Sequence, residues 1–285
     1  MNRHVHATEW ITRVMLVTLL ATASTQEFGQ RILGADDTEA RERAERLEVM
    51  KQAAAEHEII VEADEPQKLT LEIEPLLRWT NPVRGTTDGA VFVWTSKGCP
   101  EVIAGIYKWR GQASEPDMEY EFKTLSQCTI VAARLGQTVW TPRRNDVVRE
   151  PIAAAPPPDD APATRLRQMR ALAREFTAVQ EKPNNTSELR LLTQPIFRYA
   201  STRSDVLDGA IFAFAEATDP EVLLLIEARA TDTGYEWQRA FARMTSLPLR
   251  ARYKNREVWS VTDCWSQVTD RRQPYTAFFQ QKVGQ

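Results

Sequence analysis

The stretch DGAIFAFAEATDPEVLLLIEAR, Asp208 to Arg229, decides how this chain folds. Its two apolar runs, GAIFAFAEA and EVLLLIEAR, have the length of strands, and the TDP between them supplies a tight connection. It reads as a β-hairpin. A near copy, DGAVFVWTSKGCPEVIAGIYKW, begins at Asp88, with SKGCP as the matching connection. Sliding the chain on itself by 120 residues aligns Leu69, Leu71, Pro75 and Arg78 with Leu189, Leu191, Pro195 and Arg198. Asp88, Gly89, Ala90 and Phe92 fall on Asp208, Gly209, Ala210 and Phe212, and Pro100, Glu101, Val102 and Ile106 on Pro220, Glu221, Val222 and Ile226. That is 12 identities in the 38 positions from 69 to 106, where chance gives roughly 2. The chain is read as a duplicated unit.

Outward from the hairpins, each copy opens with a helical pattern. Leu166, Met169, Leu172, Ala173 and Phe176 recur at spacings of three and four, as do Leu47, Met50, Ala53, Ala54 and His57. Strand patterns follow, interrupted at Pro75 and Pro195, where proline's missing N–H predicts an edge or a bulge. A turn at Lys254-Asn255 joins the last two strands. The fold expected is α+β, two tandem copies of a helix packed on a mostly antiparallel meandering sheet. The expected order is a signal peptide (1–23), a flexible leader (24–36) and a first repeat (37–142). A Pro/Ala-rich linker (143–164) and a second repeat with a docked C-terminal tail (165–285) complete it.

Composition excludes more than it assigns. The net charge of −3 gives no global attraction to nucleic acid. It is uneven: residues 1–160 carry 18 basic against 25 acidic groups, a net of −7, leaving 18 against 14, or +4, in residues 161–285. The N-terminus combines a basic MNRHVHATEWITR, a short apolar VMLVTLLA and a small-x-small ATA ending at Ala23. These are the parts of a secretory signal, too short to span a bilayer, so export to the periplasm or the extracellular space is expected, with no membrane span in the mature chain. Three cysteines allow one disulfide; Cys99–Cys128 is the favoured pairing and three free thiols the alternative.

Histidine occurs only at positions 4, 6 and 57, so a mature chain would keep His57 alone. That rules out histidine-rich metal sites and leaves one candidate base for a nucleophilic triad. His57 lies on the apolar stripe and reads as structural. Glycine-rich phosphate and dinucleotide loops are missing, and no cofactor is expected. Asp88, Asp208, Glu101 and Glu221 read as turn residues, although paired carboxylates can act as acid and base. Candidate ligand-binding residues are the Arg-aromatic pairs Arg78-Trp79 and Arg198-Tyr199, together with Trp94 and Trp109, the extra tryptophans of the first hairpin.

From LRLLTQPIFRY through the Asp208 hairpin to YEWQRAFARM and REVWSV, the second copy resembles a family of uncharacterised exported proteins from planctomycete bacteria. The resemblance implies a bacterial, exported protein and transfers no catalytic residue. The function expected is that of a non-catalytic envelope or extracellular protein binding a partner or a small apolar ligand. The alternative is a histidine-free hydrolase or isomerase using Asp/Glu and Arg in a helix-sheet cavity.

Overall fold

The computed structural model describes residues 38–62, 65–82, 85–109, 118–143, 145–183, 185–202 and 205–279. The expected signal peptide and leader lie outside them. The chain divides into a short unit, Met1–Glu48, and a compact unit, Val49–Gln285. Helix α1 spans 38–55 and opens with the i,i+4 pairs Arg41–Glu45 and Glu42–Arg46.

The first strands are β1 (His57–Glu62), β2 (Gln67–Lys68), β3 (Thr70–Asn81), β4 (Thr86–Ser96), β5 (Cys99–Trp109), β6 (Met118–Thr124), β7 (Thr129–Arg134) and β8 (Gln137–Trp140). Then come β9 (Glu150–Pro151), helix α2 (Pro162–Ala173), β10 (Phe176–Lys182), β11 (Asn185–Leu191) and β12 (Phe197–Tyr199). The chain continues through β13 (Val206–Glu216), β14 (Asp219–Thr231), β15 (Gly234–Arg243), β16 (Leu249–Tyr253), β17 (Arg256–Val261) and β18 (Tyr275–Phe279).

The protein is mostly β, which corrects the expected α+β class. Strands hold 56% of the described residues, the sheets include a half-barrel, and the α-helices among those residues are the short α1 and α2. The architecture is therefore not a tandem of helices packed on sheets. Both helices stop earlier than their apolar periodicity suggests. His57 and Phe176 each open a strand, because HEIIVE and FTAVQEK bury alternate side chains and so favour an extended chain.

Three sheets result. One is four-stranded (β2-β1-β7-β8), one five-stranded (β18-β6-β5-β4-β3), and the largest runs β17-β16-β10-β11-β13-β14-β15-β9 with β12 beside β13. The β13–β14 and β4–β5 hairpins pair in one register at a constant offset of 120. Gly209 faces Glu227 as Gly89 faces Tyr107, and Ala215 faces Pro220 as Thr95 faces Pro100. The turns at Lys97-Gly98, Leu135-Gly136 and Lys254-Asn255 all have positive φ at both residues, the geometry that matches strand twist. Pro75 lies on an edge strand at a register shift, and Pro195 separates β11 from β12.

The hairpin β13–β14 is apolar on both faces because both faces are covered. Phe212, Phe214, Leu224 and Ile226 join Met169, Leu172 and Phe176 in one core. Ile211, Ala213, Leu223 and Leu225 pack on Trp79, Val91, Ile103 and Tyr107 of the five-stranded sheet. The hairpin tips are reciprocally engaged: Thr80 N–H donates to Thr218 Oγ1, and Thr202 N–H donates to the Lys97 carbonyl.

Two segments depart from the expected order. Residues 143–164 are not an extended linker: Val147 and Ile152 are buried, Arg149 pairs with Glu227 at 2.8 Å, and β9 adds to β15. The tail does not stay on the second half. β18 crosses to β6 and sets Ala277 opposite Glu121. The edge of β15 is taken by β9, whereas β6 offers an open edge that an aromatic strand can cover.

Candidate functional site

The Arg-aromatic and Asp-Gly motifs meet across a strand pair. Arg78 Nε donates to Asp88 Oδ1 at 2.9 Å while Trp79 lies opposite Gly89; Arg198 Nε donates to Asp208 Oδ1 at 2.9 Å while Tyr199 lies opposite Gly209. A Cβ on Gly89 would stand 2.4 Å from the Trp79 ring, and one on Gly209 would stand 2.5 Å from Tyr199. Glycine is required because the ring lies flat on the neighbouring backbone. Arg165 of α2 also donates to Asp208, at 2.9 Å. Arg78 and Arg198 are each thereby tied to a carboxylate of the neighbouring strand. Trp94 is core, packed on Phe122, and the Trp109 side chain lies outside the described residues. Cys99, Cys128 and Cys264 are all free thiols. Burial pushes the Cys99 thiol up to about 11.

Among the described candidates, Trp79 lines a cavity. The cavity, of about 890 Å³, wraps around the edge strand β18. On one face of the sheet its wall is Trp79, Tyr107, Glu119, Glu121, Met244 and Tyr275; on the other it is His57, Arg134, Arg271 and Phe278. Trp265, 72% exposed, and Phe279, 48% exposed, also line it, so this wall is open to solvent. It is a sheet-edge cavity, not one between helix and sheet.

Glu121 is its polar centre. The Tyr107 and Tyr275 hydroxyls both donate to Oε1, at 3.1 and 3.0 Å. Gly105, opposite Glu121 on β5, leaves room for the carboxyl: a Cβ there would come within 3.4 Å of Oε2. Burial, then the negative charges of Asp219 and Glu119, hold the Glu121 carboxyl well above the usual carboxylate range. Both tyrosines are raised well above 10, first by burial and then by Glu121. Asp219, also on the wall, accepts from Asn81 Nδ2 at 3.0 Å.

The opposite face is basic. Arg134 Nε donates to Glu56 at 2.8 Å. Arg271 stacks 3.3 Å over Phe278 and donates to the Val139 carbonyl at 3.1 Å. His57 Nδ1 lies 2.8 Å from the Ala53 carbonyl, its ring tilted on Tyr120 and Phe122. Burial lowers it to about 4, so it is neutral and donates from Nδ1.

In the second half, Glu227 stands where the first has Tyr107. Tyr199 donates to Glu227 at 2.7 Å, and Arg149 and Arg229 complete the cluster. Burial alone would raise Glu227, but Arg149 and these bonds bring it below the usual range. Sequence reasoning missed Glu121, Tyr107, Tyr275 and Arg271. Its one available signal was MEYEFKT, which alternates acids with aromatics and so sets Glu119 and Glu121 on one face. Among the described residues no group of His, Cys, Asp and Glu is arranged to hold a metal ion. Likewise, no helix among them is long and apolar enough to cross a membrane. No family model, curated protein or solved structure matches the chain.

Proposed function

We propose that this is a non-catalytic exported protein that carries a small, mainly apolar ligand in the cavity around β18. Export rests on the basic, apolar and small-x-small segments of residues 1–23 and on the resemblance to exported bacterial proteins. Binding rests on one observation: an aromatic-walled cavity of about 890 Å³ in which the Glu121 carboxyl is fixed by two tyrosines. Small-molecule sites have this size, about 300–1,000 Å³, and this mix of apolar wall and few oriented polar groups. The site stands on strands, so ligand groups meet donors and acceptors already in place.

A second reading is favoured by the raised Glu121 carboxyl. A carboxylic acid kept protonated at neutral pH suits a general acid, which is what a histidine-free hydrolase or isomerase needs. The neighbouring carboxylates Glu119 and Asp219 would supply the base.

The test uses the full chain and the neutral fluorophore N-phenyl-1-naphthylamine. One saturable site per chain is expected. Ala277→Phe, which pushes a ring into the cavity from a strand position, is expected to weaken binding at least tenfold while leaving the circular dichroism unchanged. Binding that is absent, or indifferent to Ala277→Phe, overturns the proposal. Turnover of a bound ligand that is lost in Glu121→Gln would move the assignment to the second reading.

A further inference from the structure

We infer that the ligand is a short apolar peptide with free ends, its carboxylate seated on Arg271 and its ammonium directed to the Glu121 side. This rests on the cavity being a binding site and names what it holds. Arg271 is half-buried, lines the cavity and loses hydration there; among the described residues no carboxylate pairs with it. Its guanidinium donates from Nη1 to a neutral carbonyl, that of Val139. Elsewhere in the fold Arg78, Arg134, Arg149 and Arg165 meet Asp or Glu, and the buried Arg243 is satisfied by four backbone carbonyls. Among the described residues Arg271's guanidinium meets the face of Phe278 and the single Val139 carbonyl.

A half-buried guanidinium whose side-chain hydrogen bond goes to a carbonyl has donors left for an anion, and its planar fork fits a carboxylate in bidentate fashion. Phe278 fixes its plane by stacking, so the fork keeps its direction without a ligand.

The other wall has the opposite bias. Glu121 is lifted first by burial and then by the negative field of Asp219 and Glu119, and a cation entering there would oppose that repulsion and favour the carboxylate. Tyr107, Trp79 and Trp265 line the same space. A ligand with one charge meets only half of this. An apolar zwitterion long enough to reach both faces around β18 meets all of it, and a short peptide with bulky side chains is that molecule.

The experiment titrates the full chain with the tripeptide Leu-Phe-Leu, its C-terminal amide and its N-acetyl form, by calorimetry and by displacement of N-phenyl-1-naphthylamine. The free tripeptide is expected to bind one to one, and the amide and the acetyl form at least tenfold more weakly. Arg271→Gln is expected to bind acid and amide equally, with an unchanged far-ultraviolet circular dichroism spectrum reporting that it is folded. Arg271→Lys, retaining charge without the fork, should fall between. Fluorophore binding without tripeptide binding, or equal affinities for acid and amide in the native protein, overturns the inference and leaves the cavity proposal standing. Failure of the fluorophore to bind at all sinks the cavity proposal itself.

Discussion

At the scale of single residues, the two hairpins owe their common sequence to two contacts. An Asp at the start of the strand accepts an Arg from the neighbouring strand, and the next residue must be Gly because the aromatic after that Arg lies on it. Repeated motifs that look functional are thus accounted for by the fold. His57 is also structural, yet it titrates. Its charged form is disfavoured in the folded state, where its value is about 4 against 6.5 unfolded. Protonation therefore favours the unfolded chain. Stability should fall as pH drops below about 6.5 and level off below about 4, by about 3 kcal/mol in all. Other carboxyls titrate in this range, so the measure is the difference from His57→Phe, the residue the second half carries at Phe176. Urea midpoints between pH 7.5 and 4.5 should diverge; parallel curves would mean that His57 is hydrated or finds a counter-charge when protonated.

At the scale of elements, α2 is tied to the large sheet by charge as well as by its apolar stripe. Arg165 from α2 and Arg198 from β12 converge on Asp208 of β13, which is 3% exposed. Asp208→Asn leaves the buried Arg165 and the partly exposed Arg198 facing a neutral amide. A loss of about 3 kcal/mol is expected, since breaking a buried pair from one side strands the other charge. The urea midpoint should shift with the slope unchanged; a shift within error would show that both arginines swing to water. Hairpin positions, their connections and the Lys254-Asn255 turn were legible in the sequence, because alternation, length and turn chemistry are local. Helix ends were not. A stripe at spacings of three and four includes His57 and Phe176, and only the sheet that awaits them makes an extended chain the better burial.

At the scale of the whole molecule, the two halves share a core in which Trp79 and Tyr107 pack with Leu223, Leu225 and Ala240. The segment 143–164 and the crossing tail each add a strand at a sheet edge, β9 on β15 and β18 on β6. The unit Val49–Gln285 should therefore unfold as one. Tryptophan fluorescence and far-ultraviolet circular dichroism should follow a single coincident urea transition. Two transitions would show halves that stand separately.

What the sequence determined by itself was each hairpin, its register, its turns and the offset of 120 relating the two, since those depend on neighbours a few residues apart. Only the tertiary structure decided that strands outweigh helices, that residues 143–164 pack down, and that β18 covers β6. Those outcomes depend on which sheet edges are left open after local pairing is complete, a competition that no short stretch records. The cavity follows from the same competition. Glu121, Tyr107, Tyr275 and Arg271 lie far apart in the chain and meet because the last strand closes against the edge of a sheet begun near the other end.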